Sequence, residues 1–390
     1  MKKFLAMALA LLMVAVLLPI TAMAEETALP APTDGKITLK DNVVLTDSAK
    51  INYSDGVQAT TLDLNGHSIS SSATWTLLVK GTLEIIDSSE AKTGKVVCTG
   101  VGGIAMWILG GADVTLTSGA FEGTDYGIVV GGVNAKFTMN GGSATSNNGA
   151  GISGNGSVSG DGTPTYGPTT ININAGVITG GDAGIYHPQV GTLNVTGGKI
   201  EGKTGIEMRA GDLKVSGNPT ITATAPTVTV NANGSGNTTE GAAIAIAQHT
   251  TKKPIKVDIN GGTLSGAAAI NESNPQNNDA TDTDKISINV SGGSLTGKIN
   301  KGSTATVTIS GGTFSDEDGV KPYLADGKVI RNGKVVNETI TIIVPDDSTD
   351  TTTTTEKPAN PATGANDFVG AAAALAVMSL LGMAVASRKK

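Results

Sequence analysis

A glycine-containing turn recurs along most of this chain, and its spacing restricts the possible folds more than any other feature. The turns return with a period near 22 residues, and the long gap before Gly262 is interpreted as a multiple of that period. Short alternating strands such as Val114-Thr115-Leu116 precede the turns, and strands beginning Gly-Ile, such as Gly127-Ile128, follow several of them. A unit this short cannot bury its apolar face alone, so stacked units must share one interior. The recurring glycines are Gly119, Gly142, Gly176, Gly198, Gly262, Gly293 and Gly312.

The repeat predicts an all-β solenoid in which successive turns of chain align as parallel strands. Glycine is expected where the chain bends through positive φ between sheets, and threonine, valine and isoleucine suit the strands. Two wider gaps contain polar insertions, Ser153–Pro168 and Glu272–Asp284. An amphipathic hairpin meander is the alternative, although it would repeat with a shorter period.

Two segments, Leu62–Ile69 and Gly81–Ser88, are similar to the first coils of pectate-lyase-like proteins. Ser310–Ser315 followed by Tyr323–Gly327 resembles the C-terminal closing segment of the secreted members of that family. The resemblance covers residues 34–344 and implies a right-handed parallel β-helix. It says little about chemistry, because one fold carries many functions.

The C-terminal end has three parts in a fixed order. Asn360-Pro361-Ala362-Thr363-Gly364 is followed by an apolar run, Phe368–Ala386, and then by Arg388-Lys389-Lys390. The apolar run is long enough to cross a bilayer as a helix, which needs ~20 residues. The terminal cations resist translocation, so they stay on the cytoplasmic side. This end therefore predicts a chain that halts in the membrane with the pentapeptide just outside it.

This arrangement resembles the cell-wall sorting signal of Gram-positive surface proteins. The resemblance implies that a sortase cuts between Thr363 and Gly364 and that Thr363 becomes joined to peptidoglycan. Asn360 stands where most members carry leucine, which leaves the class of sortase open. A permanent single-pass anchor is the alternative. A glycolipid-anchor signal would normally lack the terminal cations.

The N-terminal end predicts secretion. Lys2 and Lys3 precede an apolar core, Phe4–Ile20, and Ala22-Met23-Ala24 follows it. A basic start, an apolar core and an Ala-x-Ala site make a secretory signal peptide, and cleavage would leave Glu25 first. An uncleaved N-terminal anchor is the alternative.

These patterns divide the chain into five segments. Residues 1–24 are the signal peptide and residues 25–345 the β-helix. Residues 346–359, rich in threonine, cannot bury enough surface to fold and are interpreted as a tether across the wall. Residues 360–364 are the sorting motif, and residues 365–390 are a hydrophobic helix with a basic tail.

Charge and cysteine content exclude some functions. Removing the two ends removes five cations and one anion, which takes the net charge from −7 to −11. Such a chain lacks the basic surface of a nucleic-acid-binding protein. Cys98 is the only cysteine, so no internal disulfide is possible, and its strand-like surroundings favour a buried thiol over a nucleophile.

A candidate ligand-binding patch follows from aligning the Gly-Ile strands. The alignment places Tyr186 beside Glu207 on the next rung, and alternation puts Arg209 on the same outer face. Asp182 and Lys203 would lie at its edge. We expect either a solvated ion pair, a glycan-contacting patch, or, least favoured, the site of a polysaccharide lyase or hydrolase. No carboxylate pair of the kind glycosidases need stands out on neighbouring rungs.

Three further features, Trp107, His187 and the acidic insertion Glu272–Asp284, are candidate functional groups. Trp107 is expected on the outer face if Met106 faces the core, either stacking on a sugar or covered by a loop. His187 is expected to be packed rather than to bind a ligand. The acidic insertion Glu272–Asp284 could hold calcium, but it lacks the spacing of an EF-hand, so a solvated loop is favoured. No other cofactor is indicated.

Together these patterns predict a secreted, sortase-anchored surface protein of a Gram-positive bacterium. The expected partners are a sortase, peptidoglycan and, transiently, the membrane. The expected activity is non-catalytic, adhesin-like binding of a glycan or host surface. A wall-bound polysaccharide lyase or hydrolase is the rival, and a coat protein without a ligand is a third possibility.

Overall fold

A computed structural model describes residues 27–234 and 236–339 of the 390-residue chain. The chain divides into two compact units, residues 1–336 and 337–390, and the coils of the solenoid lie in the first. The predicted signal peptide, tether, sorting motif and C-terminal helix lie outside the described residues. No helix within the described ranges has the length and hydropathy needed to cross a bilayer.

The described chain winds through three strands per coil, and each strand from β1 to β20 pairs in parallel with the strand three places later. Leu83, Val114 and Phe137, for example, are aligned on three successive rungs. The first strands of the coils form sheet 1: β1 Lys36–Thr38, β4 Thr61–Asp63, β7 Thr82–Ile86, β10 Asp113–Leu116, β13 Lys136–Met139, β16 Thr169–Ile173, β19 Gly191–Val195, β22 Gly211–Val215 and β29 Thr306–Ile309.

The second strands form sheet 2: β2 Val43–Leu45, β5 Ser68–Ser71, β8 Lys95–Cys98, β11 Ala120–Gly123, β14 Ser143–Ser146, β17 Val177–Thr179, β20 Lys199–Gly202, β23 Thr220–Ala223 and β30 Thr313–Phe314. The third strands form sheet 3: β3 Ala49–Ile51, β6 Trp75–Val79, β9 Ile104–Ile108, β12 Tyr126–Val130, β15 Ala150–Ser153, β18 Ala183–His187, β21 Thr204–Met208 and β26 Ala242–Ala247. Two long strands, β27 Ile255–Ser273 and β28 Ile286–Lys301, pass through all three sheets.

The remaining elements lie outside the three parallel sheets or close the C-terminal end of the solenoid. The antiparallel pair β24 Thr229–Val230 and β25 Thr239–Glu240 belongs to a segment of residues 224–234 and 236–241, which we call the strap. Near the C-terminal end, Thr313 pairs antiparallel with Lys334. The other elements are α1 Ala280–Thr283, α2 Glu317–Val320, a 3₁₀ turn Lys321–Tyr323, β31 Lys328–Arg331 and β32 Lys334–Asn337.

One continuous apolar core runs through the coils. Its members come from alternate positions of each strand, such as Ile85, Leu116, Met139 and Ile173, which stack on successive rungs and are almost wholly buried. The intervening side chains point outward, and sheets 1 and 2 present a mostly polar outer surface. The parallel solenoid predicted from the period is confirmed, and the hairpin meander is wrong.

The turn glycines behave as the sequence predicts. Gly142 and Gly198, between sheets 1 and 2, have φ of 72° and 84°, a region that favours glycine. The long gap before Gly262, in contrast, does not consist of regular coils alone. It includes one coil of 44 residues, from Leu213 on β22 to Val257 on β27, which is enlarged by the strap between sheets 2 and 3 and by the segment 248–254.

Candidate functional site

The three residues of the predicted patch do lie together on sheet 3. Tyr186 is aligned with Glu207 on the next rung, and Ile206 and Met208 point into the core. Their predicted exposure, however, is wrong: Tyr186 is 8% exposed, and Glu207 and Arg209 are 0% exposed. The strap lies over this part of sheet 3 and covers them.

Glu207 holds the strap through its carboxylate. Both carboxylate oxygens accept a hydrogen bond from the amide N–H of Thr238 at 3.0 Å, and Oε1 accepts another from the Thr238 hydroxyl at 2.7 Å. The amide N–H of Thr239 donates to Oε2 at 3.1 Å. Burial raises the pKa of Glu207 above its ordinary value, although the bonds from Thr238 oppose that shift.

Arg209 holds the same segment from the donor side. Its guanidinium donates to the carbonyl oxygens of Gly236 at 2.5 Å and Asn233 at 3.1 Å, and Nε donates to Ala247 O at 3.2 Å. The shortest Arg209–Glu207 separation is 3.9 Å. Arg209 is therefore neither a solvated partner of Glu207 nor a free base, and the lyase interpretation loses its proposed residue.

Tyr186 completes this buried group. Its hydroxyl lies 3.5 Å from an Arg209 nitrogen, and burial raises its pKa to about 12. At the exposed edge, Lys203 pairs with Asp182 at 3.3 Å and with Glu240 of the strap at 3.1 Å. The predicted patch therefore fastens the strap to sheet 3 and offers no surface to a ligand in this structure.

His187 is packed, as expected. The side chain is fully buried, and Nδ1 lies 3.2 Å from the carbonyl oxygen of Ala210. Burial lowers the pKa of His187 to about 4, so the imidazole is neutral at pH 7.

Trp107 lies on the outer face of sheet 3, because Met106 and Ile108 on either side of it are buried in the core. Its ring is half-buried and meets Trp75 edge to face, with ring centroids 5.5 Å apart and planes at 76°. The indole N–H donates to the carbonyl oxygen of Gly131 at 3.2 Å. The ring is thereby held in one orientation while part of it reaches solvent.

Trp107 belongs to a larger apolar surface that the sequence did not reveal. Leu78, Trp107 and Val129 are aligned on successive rungs, and Trp75 and Tyr126 flank Ile104 in a parallel row. We call Trp75, Leu78, Trp107, Tyr126 and Val129 the aromatic strip. All of its members except Val129 are partly exposed. Tyr126 immediately precedes the Gly-Ile pair of its strand. Aligning the strands by that pair would have predicted from the sequence that Tyr126 lies close to Trp107.

A second feature lies on sheet 1. A groove of about 440 Å³ runs across the rungs of β19, β22, β27 and β28. Eight of its ten lining residues have polar side chains, and the lining comprises Asn194, Thr196, Lys214, Val215, Ser216, Asp258, Ile259, Asn260, Asn289 and Ser291.

The acidic insertion does not assemble a cation site. Glu272 accepts hydrogen bonds from the amide N–H groups of Gly302 and Ser303 and from the Ser303 hydroxyl. Asp282 pairs with Lys252 at 2.8 Å and Lys285 at 3.1 Å. Within the described residues, no group of three or more His, Cys, Asp or Glu side chains is arranged to hold a metal ion.

Comparison of the chain with protein-family models, with curated proteins and with solved structures gives no match.

Proposed function

We propose that this chain is a surface protein anchored to the wall of a Gram-positive bacterium and that its solenoid binds glycans without catalysis. The observation that carries the binding proposal is the aromatic strip on the outer face of sheet 3. Aromatic rings present a large apolar surface at little conformational cost, and Tyr and Trp also carry a polar edge. Sugar rings have apolar C–H faces and polar rims, so a fixed, partly exposed indole matches them.

The anchoring proposal is supported by sequence features at both ends. The signal peptide directs export, and the pentapeptide, the apolar run and the terminal cations match a sorting signal in order and length. Residues 346–359 would span the wall and hold the solenoid outside it. The same proposal takes the coil to be right-handed, as the resemblance to pectate-lyase-like proteins implies.

A glycan array probed with the purified full chain tests the binding proposal. Trp107→Ala should weaken binding at least tenfold because it removes the best-held ring, whereas Trp107→Phe should retain most of it. Val177→Ala is a matched control, since Val177 is an apolar side chain that is 44% exposed on sheet 2. If the parent binds no glycan, or if Trp107→Ala binds as well as Val177→Ala, the strip is not a glycan site.

A further inference from the structure

The groove on sheet 1 has the periodicity of the solenoid itself. Each of its four rungs contributes one outward side chain from the strand and a second, two residues later, from the turn toward sheet 2. The strand row is Asn194, Lys214, Asp258 and Asn289, and the turn row runs from Thr196 to Ser291. Rungs of a parallel sheet are ~4.8 Å apart, so the strand row extends for about 14 Å along the axis.

The hydrogen bonds of the strand row are interrupted in the middle of the groove. The Asn194 amide donates outward to Asn172 at 2.9 Å, and the Asn289 amide donates to Asp258 at 2.9 Å. Lys214 lies between these two pairs, and its ammonium forms no hydrogen bond or ion pair with any described residue, although its charge helps to hold the pKa of Asp258 below its ordinary value. The ammonium of Lys214 and the free oxygen of the Asn194 amide therefore remain available to a ligand.

The groove is close to electrically neutral. Asp258 pairs with Lys256 at 3.0 Å, and Asp212 lies on the rung beside Lys256. Burial raises the pKa of Asp258, but the bonds from Asn289 and Lys256 outweigh it and hold that pKa below its ordinary value. Two cations therefore balance two anions, while the chain as a whole is acidic. Neither condition favours a polyanion.

We propose that this groove binds a linear, uncharged polysaccharide lying along the solenoid axis. The walls offer amides, hydroxyls, a carboxylate and an ammonium group, which can donate to and accept from vicinal sugar hydroxyls. A repeating array of such groups suits a ligand that presents the same hydroxyls at regular intervals. The site lies on sheet 1 and is separate from the aromatic strip on sheet 3. Either proposal can therefore be refuted without affecting the other.

Affinity electrophoresis of the full chain in native gels provides the test. The gels contain a soluble mixed-linkage β-glucan, a soluble linear mannan, or polygalacturonate as the anionic probe. The parent should be retarded by at least one of the neutral polymers. Lys214→Ala and Asn194→Ala should each reduce that retardation at least fivefold, with the melting temperature unchanged because both side chains reach solvent.

Lys199→Ala is the control, because it removes another exposed cation, one that lies on sheet 2 and pairs with Glu201. Its retardation should equal that of the parent. Trp107→Ala, made in parallel, reports on the strip alone. The groove proposal is overturned if neither neutral polymer retards the parent, if both groove variants behave like Lys199→Ala, or if only polygalacturonate retards the chain.

Discussion

Glu207 and Arg209 show what side-chain alternation does and does not determine. Alternation correctly directs both residues away from the solenoid core. It does not reveal that the strap covers them, because the covering residues lie 31 and 32 positions further along the chain. An unpaired buried charge would be strongly destabilising. Both charges are tolerated because strap backbone groups satisfy them.

Glu207→Ala should therefore release the strap. The change leaves the amide N–H groups of Thr238 and Thr239 without their acceptor and Arg209 without its nearest carboxylate, at a cost of ~3 kcal/mol. Hydrogen exchange of residues 236–240 should accelerate strongly. Glu201→Ala is the control, since Glu201 forms a surface pair with Lys199 worth at most ~1 kcal/mol. Slow exchange in the Glu207 variant would show that the carboxylate does not hold the strap.

His187 makes the solenoid sensitive to acid. Its folded-state pKa of about 4 lies below the ordinary value of 6.5. The neutral, buried imidazole therefore contributes to the free energy of unfolding in full above pH 6.5. This contribution is lost as the pH falls through about 4, because His187 binds a proton more readily in the unfolded chain than in the folded one. The difference corresponds to about 3 kcal/mol.

His187→Met, which copies the residue aligned with it on the next rung, should remove this dependence. Urea unfolding at pH 7 and pH 4.5 measures it. The free energy of unfolding should fall less for the variant than for the parent between those two values. Equal losses in the two proteins would assign the acid sensitivity to other groups.

At the scale of the strand, the Gly-Ile pairs of sheet 3 need glycine for lack of space. A Cβ atom on Gly205 would lie 2.5 Å from the carbonyl oxygen of Ala243 and 2.6 Å from Ile221 Cγ2. Gly205→Ala should therefore cost about 1–3 kcal/mol through overpacking. Gly160→Ala is the control, because a Cβ there meets nothing within 4 Å. Thermal unfolding of both variants checks the difference.

The elements divide into those that the repeat determines and those that it does not. The period and the alternation predicted the strands, the turns with positive φ and the parallel stacking, because each depends on residues a few positions apart. The strap carries no periodic signal, so the period alone does not distinguish its residues from those of a regular coil. Trp75 and Trp107 are in contact because their strands are aligned on adjacent rungs. They lie 32 positions apart in the chain, which differs from the 22-residue period, so the period did not predict this contact.

At the scale of the whole molecule, the anchoring proposal makes a prediction about location. Thr363→Ala should leave the protein uncut in the membrane fraction, since Thr363 supplies the acyl group that sortase transfers. Thr355→Ala, in the adjoining threonine run, should be attached normally. Immunoblots of purified peptidoglycan after complete digestion measure the attachment. Covalent Thr363→Ala protein in the wall would refute the sorting motif.

Each coil of the solenoid pairs only with the coils next to it, and this has a mechanical consequence. A pulling force on the C-terminal end would load the last coil first, and a detached coil would transfer the load to the next. The molecule should therefore lengthen by one coil at a time, and the coils range from 19 residues (Ile288 to Val307) to 44 residues (Leu213 to Val257). Each step would release roughly 65–150 Å of extended chain. Optical-tweezer traces should show a sawtooth of unequal steps, so that a cell attached as proposed would dissipate energy gradually instead of detaching in one event.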